Sequence, residues 1–256
     1  MDTLTYGDLR VSVHDSNAEL GVAGAALFAE AVREELTERE EIAVILATGN
    51  SQLSFVTALR ERNDIEWSRV SVLHMDEYIG MSEMHSASFR LWMQHNIVEP
   101  FSPKAFYGVR GDHEPVQEEV DRYAALLRDL EPAICVMGIG ENGHLAFNDP
   151  PADFETDELV HVIAMDEASR RQQVGEGHFP SLHEAPTHAI SLTIPALLAP
   201  RHVLVMTPEK RKARAVAGAL QGEITPQLPA SILRTQPQAR LLLDRDSASG
   251  LQALVR

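Results

Sequence analysis

The chain predicts an α/β fold built on a doubly wound, mainly parallel sheet with helices on both faces. Short β-rich runs alternate with longer stretches of helical period along its whole length, and several of those runs are apolar throughout, as strands buried on both faces are. Size fits as well. Of the 256 residues 44% are hydrophobic, enough for one large core, and no repeat, low-complexity segment or long linker divides them, so 1–256 reads as a single domain.

The first expected strand, Leu9–Val13, leads into an apolar stripe of Leu20, Ala23, Leu27, Phe28, Ala31, Val32 and Leu36, with Glu30, Arg33 and Glu34 elsewhere on the wheel; this is a core-facing helix. Strands follow at Ile42–Ala47 and Val70–His74. Phe89, Trp92, Met93 and Ile97 repeat the helical spacing, as do Val116, Val120, Tyr123, Ala124 and Leu127. Ala133–Gly138, Val160–Ala164, Ala189–Leu192 and His202–Met206 are the next strands, and Ala213, Val216, Ala217 and Leu220 mark a helix before the last, Arg240–Leu243. Prolines near Asp149 and Phe179 mark irregular loops. The plan is Rossmann-like, and ligands of such sheets gather beyond the carboxyl ends of the strands.

A formal charge of −16, from 22 Lys+Arg against 38 Asp+Glu, excludes nucleic acid and anionic membrane as partners, because both need basic residues to neutralise phosphates. An anionic ligand therefore requires a local positive field. The lone Cys135 lies in an apolar run and reads as a core thiol, in keeping with a reducing compartment. The N-terminal stretch Met1 to Asp8 lacks the basic and apolar regions of a signal peptide, and no apolar run reaches membrane-spanning length. A cytoplasmic location is expected.

Chemistry is sought just after each strand. Thr48-Gly49-Asn50-Ser51 is a small-residue turn leading toward a helix; it presents either an anion-binding set of backbone amides or an ordinary turn with Ser51 as N-cap. No Gly-Lys-[Ser/Thr] follows, so it is not a Walker loop. Asp76-Glu77 sets two carboxylates after the third strand, of which at most one faces a given pocket. Gly138-Ile139-Gly140-Glu141-Asn142-Gly143-His144 places three glycines and a histidine after the fourth, with Asn142 and Asp149 available to orient the ring. The glycines have dinucleotide-loop spacing, but a proline soon follows and the ribose-binding acid is missing, which argues against NAD. His178, His183 and His188 are interrupted by prolines and read as solvated loop residues, so no metal site is expected.

Thr48-Gly49-Asn50-Ser51, Met75-Asp76-Glu77-Tyr78-Ile79-Gly80 with His85 and Ser88, and Gly138 through Asn148 resemble the glucosamine-6-phosphate deaminase (isomerase) family. The sister 6-phosphogluconolactonases usually carry Asp-Glu-Arg in the second motif and Gly-His-Thr-Ala-Ser in the third. The resemblance implies conversion of glucosamine 6-phosphate, or a close amino-sugar phosphate, and water into fructose 6-phosphate and ammonia without metal or organic cofactor. It assigns Asp76 as the base that moves a proton from C2 to C1, and His144 as the ring-opening acid/base. Asn142 and Asp149 orient that histidine, with Asp149 standing where the family usually has Glu. Thr48, Gly49, Asn50, Ser51 and Lys212 hold the phosphate.

One family feature is missing: an arginine before the Phe179-Pro180-Ser181-Leu182 stretch that grips the phosphate. Arg170 or Arg171 is expected to replace it. The alternatives are a lactonase-type hydrolase on the same fold and a non-catalytic sugar-phosphate sensor. The partner in every case is a small sugar phosphate, and the sequence leaves a homo-oligomer open.

Overall fold

The computed structural model describes residues 2–252; Met1 and residues 253–256, counted above in the single domain, lie outside the described residues. A hairpin of β1 (Asp2–Tyr6) and β2 (Leu9–His14) opens the chain, turned by Gly7 at a φ of 60°. The remaining strands are β3 (Ile42–Leu46), β4 (Val70–His74), β5 (Asp76–Tyr78), β6 (Ala105–Tyr107), β7 (Ile134–Met137), β8 (Val160–Ala164), β9 (His188–Leu192), β10 (His202–Thr207) and β11 (Ala239–Asp244). The helices are α1 (Asn17–Glu38), α2 (Leu53–Arg60), α3 (Phe89–Met93), α4 (Glu99–Phe101), α5 (Val116–Leu130), α6 (Glu167–Gly175), α7 (Ile194–Leu198) and α8 (Ala213–Gln221).

Eight strands form one sheet in the order β1-β2-β11-β10-β7-β3-β4-β6, parallel except for β1. Every residue of β3, β4 and β7 is buried, because apolar helical faces cover both sides. Val44 and Leu46 pack with Leu20 and Phe28 of α1 and Phe55 and Leu59 of α2, whereas Ala43 and Ile45 join Tyr123 and Leu127 of α5 and Val216 of α8. Alternate residues of one strand thus serve opposite layers. Cys135 is fully buried on the α5 side, and burial pushes its thiol pKa up.

Two expectations change here. β8 and β9 do not extend the main sheet; they form a separate antiparallel sheet, β5-β9-β8. In β8 only Val160 is buried while His161 to Ala164 are partly or fully exposed, which a doubly covered parallel sheet does not accommodate. The helix carrying Phe89 and Ile97 is also not uniform, since it widens into a π turn over Gln94–Val98. β3, β4 and β6 step toward one edge while β7, β10 and β11 step the other way, so the chain reverses its winding between β3 and β7. The loops leaving those two strands diverge, and a crevice opens there.

Candidate active site

A solvent-open cleft, with about 90 Å3 accessible to water, occupies that crevice. Thr48, Gly49, Asn50, Ser51, Asp76, His144 and Lys212 line it, together with the apolar Met75, Phe89 and Phe147.

After β3 the Ala47 amide bonds the Val136 carbonyl at 2.8 Å, tying the turn to β7. Gly49 then adopts a φ of 94°, a left-handed value that favours glycine, and Asn50–Gln52 form a short 3-10 turn into α2. Ser51 is not the cap: neither the 3-10 turn nor α2 has a side-chain cap, and Ser51 Oγ accepts from Gln52 Nε2 at 3.3 Å. The uncapped amides border the cleft. Lys212 comes from the loop after β10 and is only 3% exposed; burial, with the adjacent Arg211 charge, lowers its pKa to about 8. Acids at longer range, Glu176, Glu141 and Glu209, oppose that shift. A buried ammonium beside uncapped amides makes the local positive field that an acidic protein needs to hold an anion.

Asp76 opens β5, paired across to Ser191 of β9, and its carboxyl faces the cleft. Burial, reinforced by the neighbouring Glu77, pushes its pKa up to about 8. The extended backbone turns Glu77 the other way. There it accepts from Ser88 Oγ (2.8 Å) and from the Arg90 and Tyr78 amides (both 3.0 Å), a structural role.

His144 lies on the loop after β7, and the neighbouring glycines explain how its ring fits. A Cβ at Gly140 would overlap the imidazole, and one at Gly143, whose φ is 89°, would strike Leu228. Asp149 Oδ1 stands 3.3 Å from His144 Nδ1. Asn142 does not touch the ring. Its Oδ1 accepts from the His144 amide (3.1 Å) and its Nδ2 donates to Asp149 Oδ1 (3.0 Å) and to Asp166 Oδ2 (3.2 Å). Burial would raise the Asp149 pKa, but contacts from His144, Ser169 and Asn142 outweigh it and hold the carboxyl at about 2. Asn142 and Asp149 therefore stand behind the histidine, outside the cleft wall.

The expected arginine replacement does not occur. Arg170 points into its own loop, donating to the carbonyls of Leu182 (2.5 Å), Ala185 (2.8 Å) and Pro186 (3.1 Å), while the exposed Arg171 pairs with Glu167 one turn back. Adjacent positions on a helix diverge by about 100°, and neither of these reaches the cleft.

The wall they were expected to complete is instead Gln172, Gln173, Glu176 and His178, so His178 is not a solvated loop histidine. Glu176 is held at a pKa of about 2, burial being outweighed by His178, Arg211 and Gln172. Arg211 crosses the rim, bonding Glu209 (2.6 Å), Glu176 (2.8 Å) and Glu141 (3.0 Å). Sequence reasoning missed this wall, and it missed Asp166 and Ser169 behind His144; the only signal was Asp166-x-x-Ser169 at a helix start. Among the described residues, no group of three or more His, Cys, Asp or Glu could hold a metal ion, and no helix is long and apolar enough to cross a membrane.

A buried carboxyl and a carboxylate-paired imidazole thus share one cleft with an uncapped turn and a buried lysine, an arrangement able to move protons on a small anionic molecule. The chain belongs to the family of glucosamine-6-phosphate isomerases and 6-phosphogluconolactonases, whose model matches residues 15–242. It is 32% identical over 219 residues to a glucosamine-6-phosphate deaminase of Exiguobacterium sibiricum, covering 85% of each chain. It is also similar to the solved structure of a monomeric glucosamine-6-phosphate deaminase, with a TM-score of 0.85, 26% identity, and coverage of 94% of this chain and 99% of that one. A 6-phosphogluconolactonase from Thermotoga maritima shares the fold at a TM-score of 0.74 and 18% identity, covering 91% of this chain and 98% of that one.

Proposed function

We propose that this chain converts glucosamine 6-phosphate, or a close amino-sugar phosphate, and water into fructose 6-phosphate and ammonia. The observation that carries the reading is that Asp76, His144, the Thr48–Ser51 turn and Lys212 line one cleft. The amides and Lys212 hold the phosphate. His144, whose Nδ1 faces Asp149, uses Nε2 to take the proton of the O1 hydroxyl and pass it to O5, which opens the pyranose. Asp76 then takes the C2 proton and returns it to C1, which turns the C2 amine into an imine; water adds to that carbon and ammonia leaves.

Electrostatics favours an amino sugar over a phosphorylated lactone, which carries no cation at C2. With its pKa near 8, an empty-site Asp76 keeps its proton at neutral pH, because ionising it would place a charge in a buried site beside Glu77. A substrate ammonium at C2 supplies the missing countercharge and restores the carboxylate as a base. The reading extends to the whole chain acting as one unit, since the cleft draws on residues from Ala47 to Lys212, and to the cytoplasm, where a charged sugar phosphate is retained. The test is ammonia release from 6-phosphorylated hexosamines, run against hydrolysis of 6-phosphogluconolactone, with Asp76→Asn as control. Lactone consumption with no ammonia would refute the proposal.

A further inference from the structure

The contact between Asp149 and His144 is long for a charge-assisted hydrogen bond. Such bonds between a nitrogen and a carboxylate run at about 2.7–2.9 Å, whereas Asp149 Oδ1 stands 3.3 Å from His144 Nδ1. The space beside that contact is filled. Ser169, in the first turn of α6 and 1% exposed, places Oγ 3.1 Å from His144 Nδ1 and donates its hydroxyl proton to Asp149 Oδ1 in a short hydrogen bond.

Its backbone is fixed too. The Ser169 amide donates to Asp166 Oδ1 at 2.6 Å, and the Asp166 amide donates to Asp149 Oδ2 at 3.0 Å. Serine, aspartate and helix start therefore form one closed set of hydrogen bonds.

We infer that Ser169 is a positioning residue for His144, its hydroxyl bridging the gap that the short Asp149 side chain leaves. A hydroxyl has one proton, and here it goes to Asp149; the oxygen is then left to accept, so Nδ1 of His144 must carry the hydrogen. That sets the tautomer. Nε2 is left with its lone pair free toward the cleft, and the imidazolium formed when Nε2 takes a proton is stabilised by Asp149 both directly and through the hydroxyl. The other side-chain donor to Asp149 Oδ1, Asn142 Nδ2, holds the carboxylate but gives nothing to the ring. This inference rests on the reading of His144 as the ring-opening acid/base.

The test uses Ser169→Ala alone and combined with Asp149→Glu, whose extra methylene lets the carboxylate reach Nδ1 itself. Imidazole ¹⁵N shifts of the unliganded protein, assigned with His144→Gln, report the tautomer whether or not the enzyme turns over glucosamine 6-phosphate. Wild type should show the Nδ1–H form and Ser169→Ala a mixture. In steady-state kinetics Ser169→Ala should lose about 10- to 100-fold in kcat, with KM changed by less than about twofold, as expected for one hydrogen bond to a charged group. The double variant should recover most of that loss, a non-additivity that a merely structural serine would not produce. An unchanged tautomer in Ser169→Ala, an unchanged kcat, or a loss that the longer carboxylate leaves in place would overturn the inference. Wild type that releases no ammonia would overturn the functional reading instead, and the shifts would still decide the role of Ser169.

Discussion

The Asp76 carboxyl, 6% exposed and next to the buried Glu77, has its pKa moved from 3.8 to about 8 by burial first and by the Glu77 charge second. Below about pH 4 the group is neutral in both folded and unfolded chains and costs nothing. Between pH 4 and 8 the unfolded chain ionises it while the folded one keeps its proton, so folding becomes progressively less favourable; above pH 8 both are ionised and the cost stays constant. At about 1.4 kcal/mol for each pH unit between the two pKa values, the penalty is on the order of 1–2 kcal/mol at pH 5 and 5–6 at pH 8. Asp76→Asn removes the titration without changing the shape. Urea denaturation of both proteins at the two pH values should give a stability gain for the variant that is several kcal/mol larger at pH 8. In the same samples ammonia release should fall by about 10²–10⁴-fold, the usual contribution of a general base. A gain that is equal at both pH values would show that Asp76 is not held protonated in the empty cleft, and the argument for an ammonium substrate would fall with it.

Lys212→Met should raise KM for the phosphorylated sugar by about 10- to 150-fold with a smaller effect on kcat, as loss of a charged hydrogen bond predicts. In wild type the same ammonium loses its proton as pH rises through about 8, so competitive inhibition by inorganic phosphate should weaken across that range. Gly140→Ala, which pushes a methyl into the His144 ring, should lower kcat by at least about tenfold; unaltered turnover would mean that the ring is free to shift. Neither Arg170→Ala nor Arg171→Ala should change KM appreciably. Arg170→Ala should lower the thermal midpoint, because it frees three carbonyls of the loop, while the Arg171 change should leave stability within about 0.5 kcal/mol, as for other exposed ion pairs.

The parallel strands were legible because two-sided burial makes them apolar end to end, as in Ile42–Leu46 and Val70–His74. β5 and β6, at three residues each, carry too little pattern to read. β8 and β9 announced themselves as strands, but a β-rich run does not name its neighbour, and their departure into a second sheet is a tertiary outcome. In the site, Asp76, His144 and the Thr48–Ser51 turn could be located because each follows a strand end, whereas Lys212 came only from the family resemblance. Ser169 could not: it meets His144 across 25 residues of sequence, through a helix cap that reads as ordinary secondary structure. Arg170 and Arg171 show the opposite error, in which the right charge near the right place was given a task that helix geometry denies it.

The small sheet and the main one are stitched together beside the sugar site. Ser191, opposite Asp76, accepts from the Phe147 amide at 3.2 Å, and Asn148 Nδ2 reaches the carbonyls of Leu145 and Leu192, both at 2.8 Å. Asp76 and His144 thus ride on one braced frame. The opposite rim is closed by the ion pairs of Arg211, and these, unlike the buried stitches, weaken as salt is added.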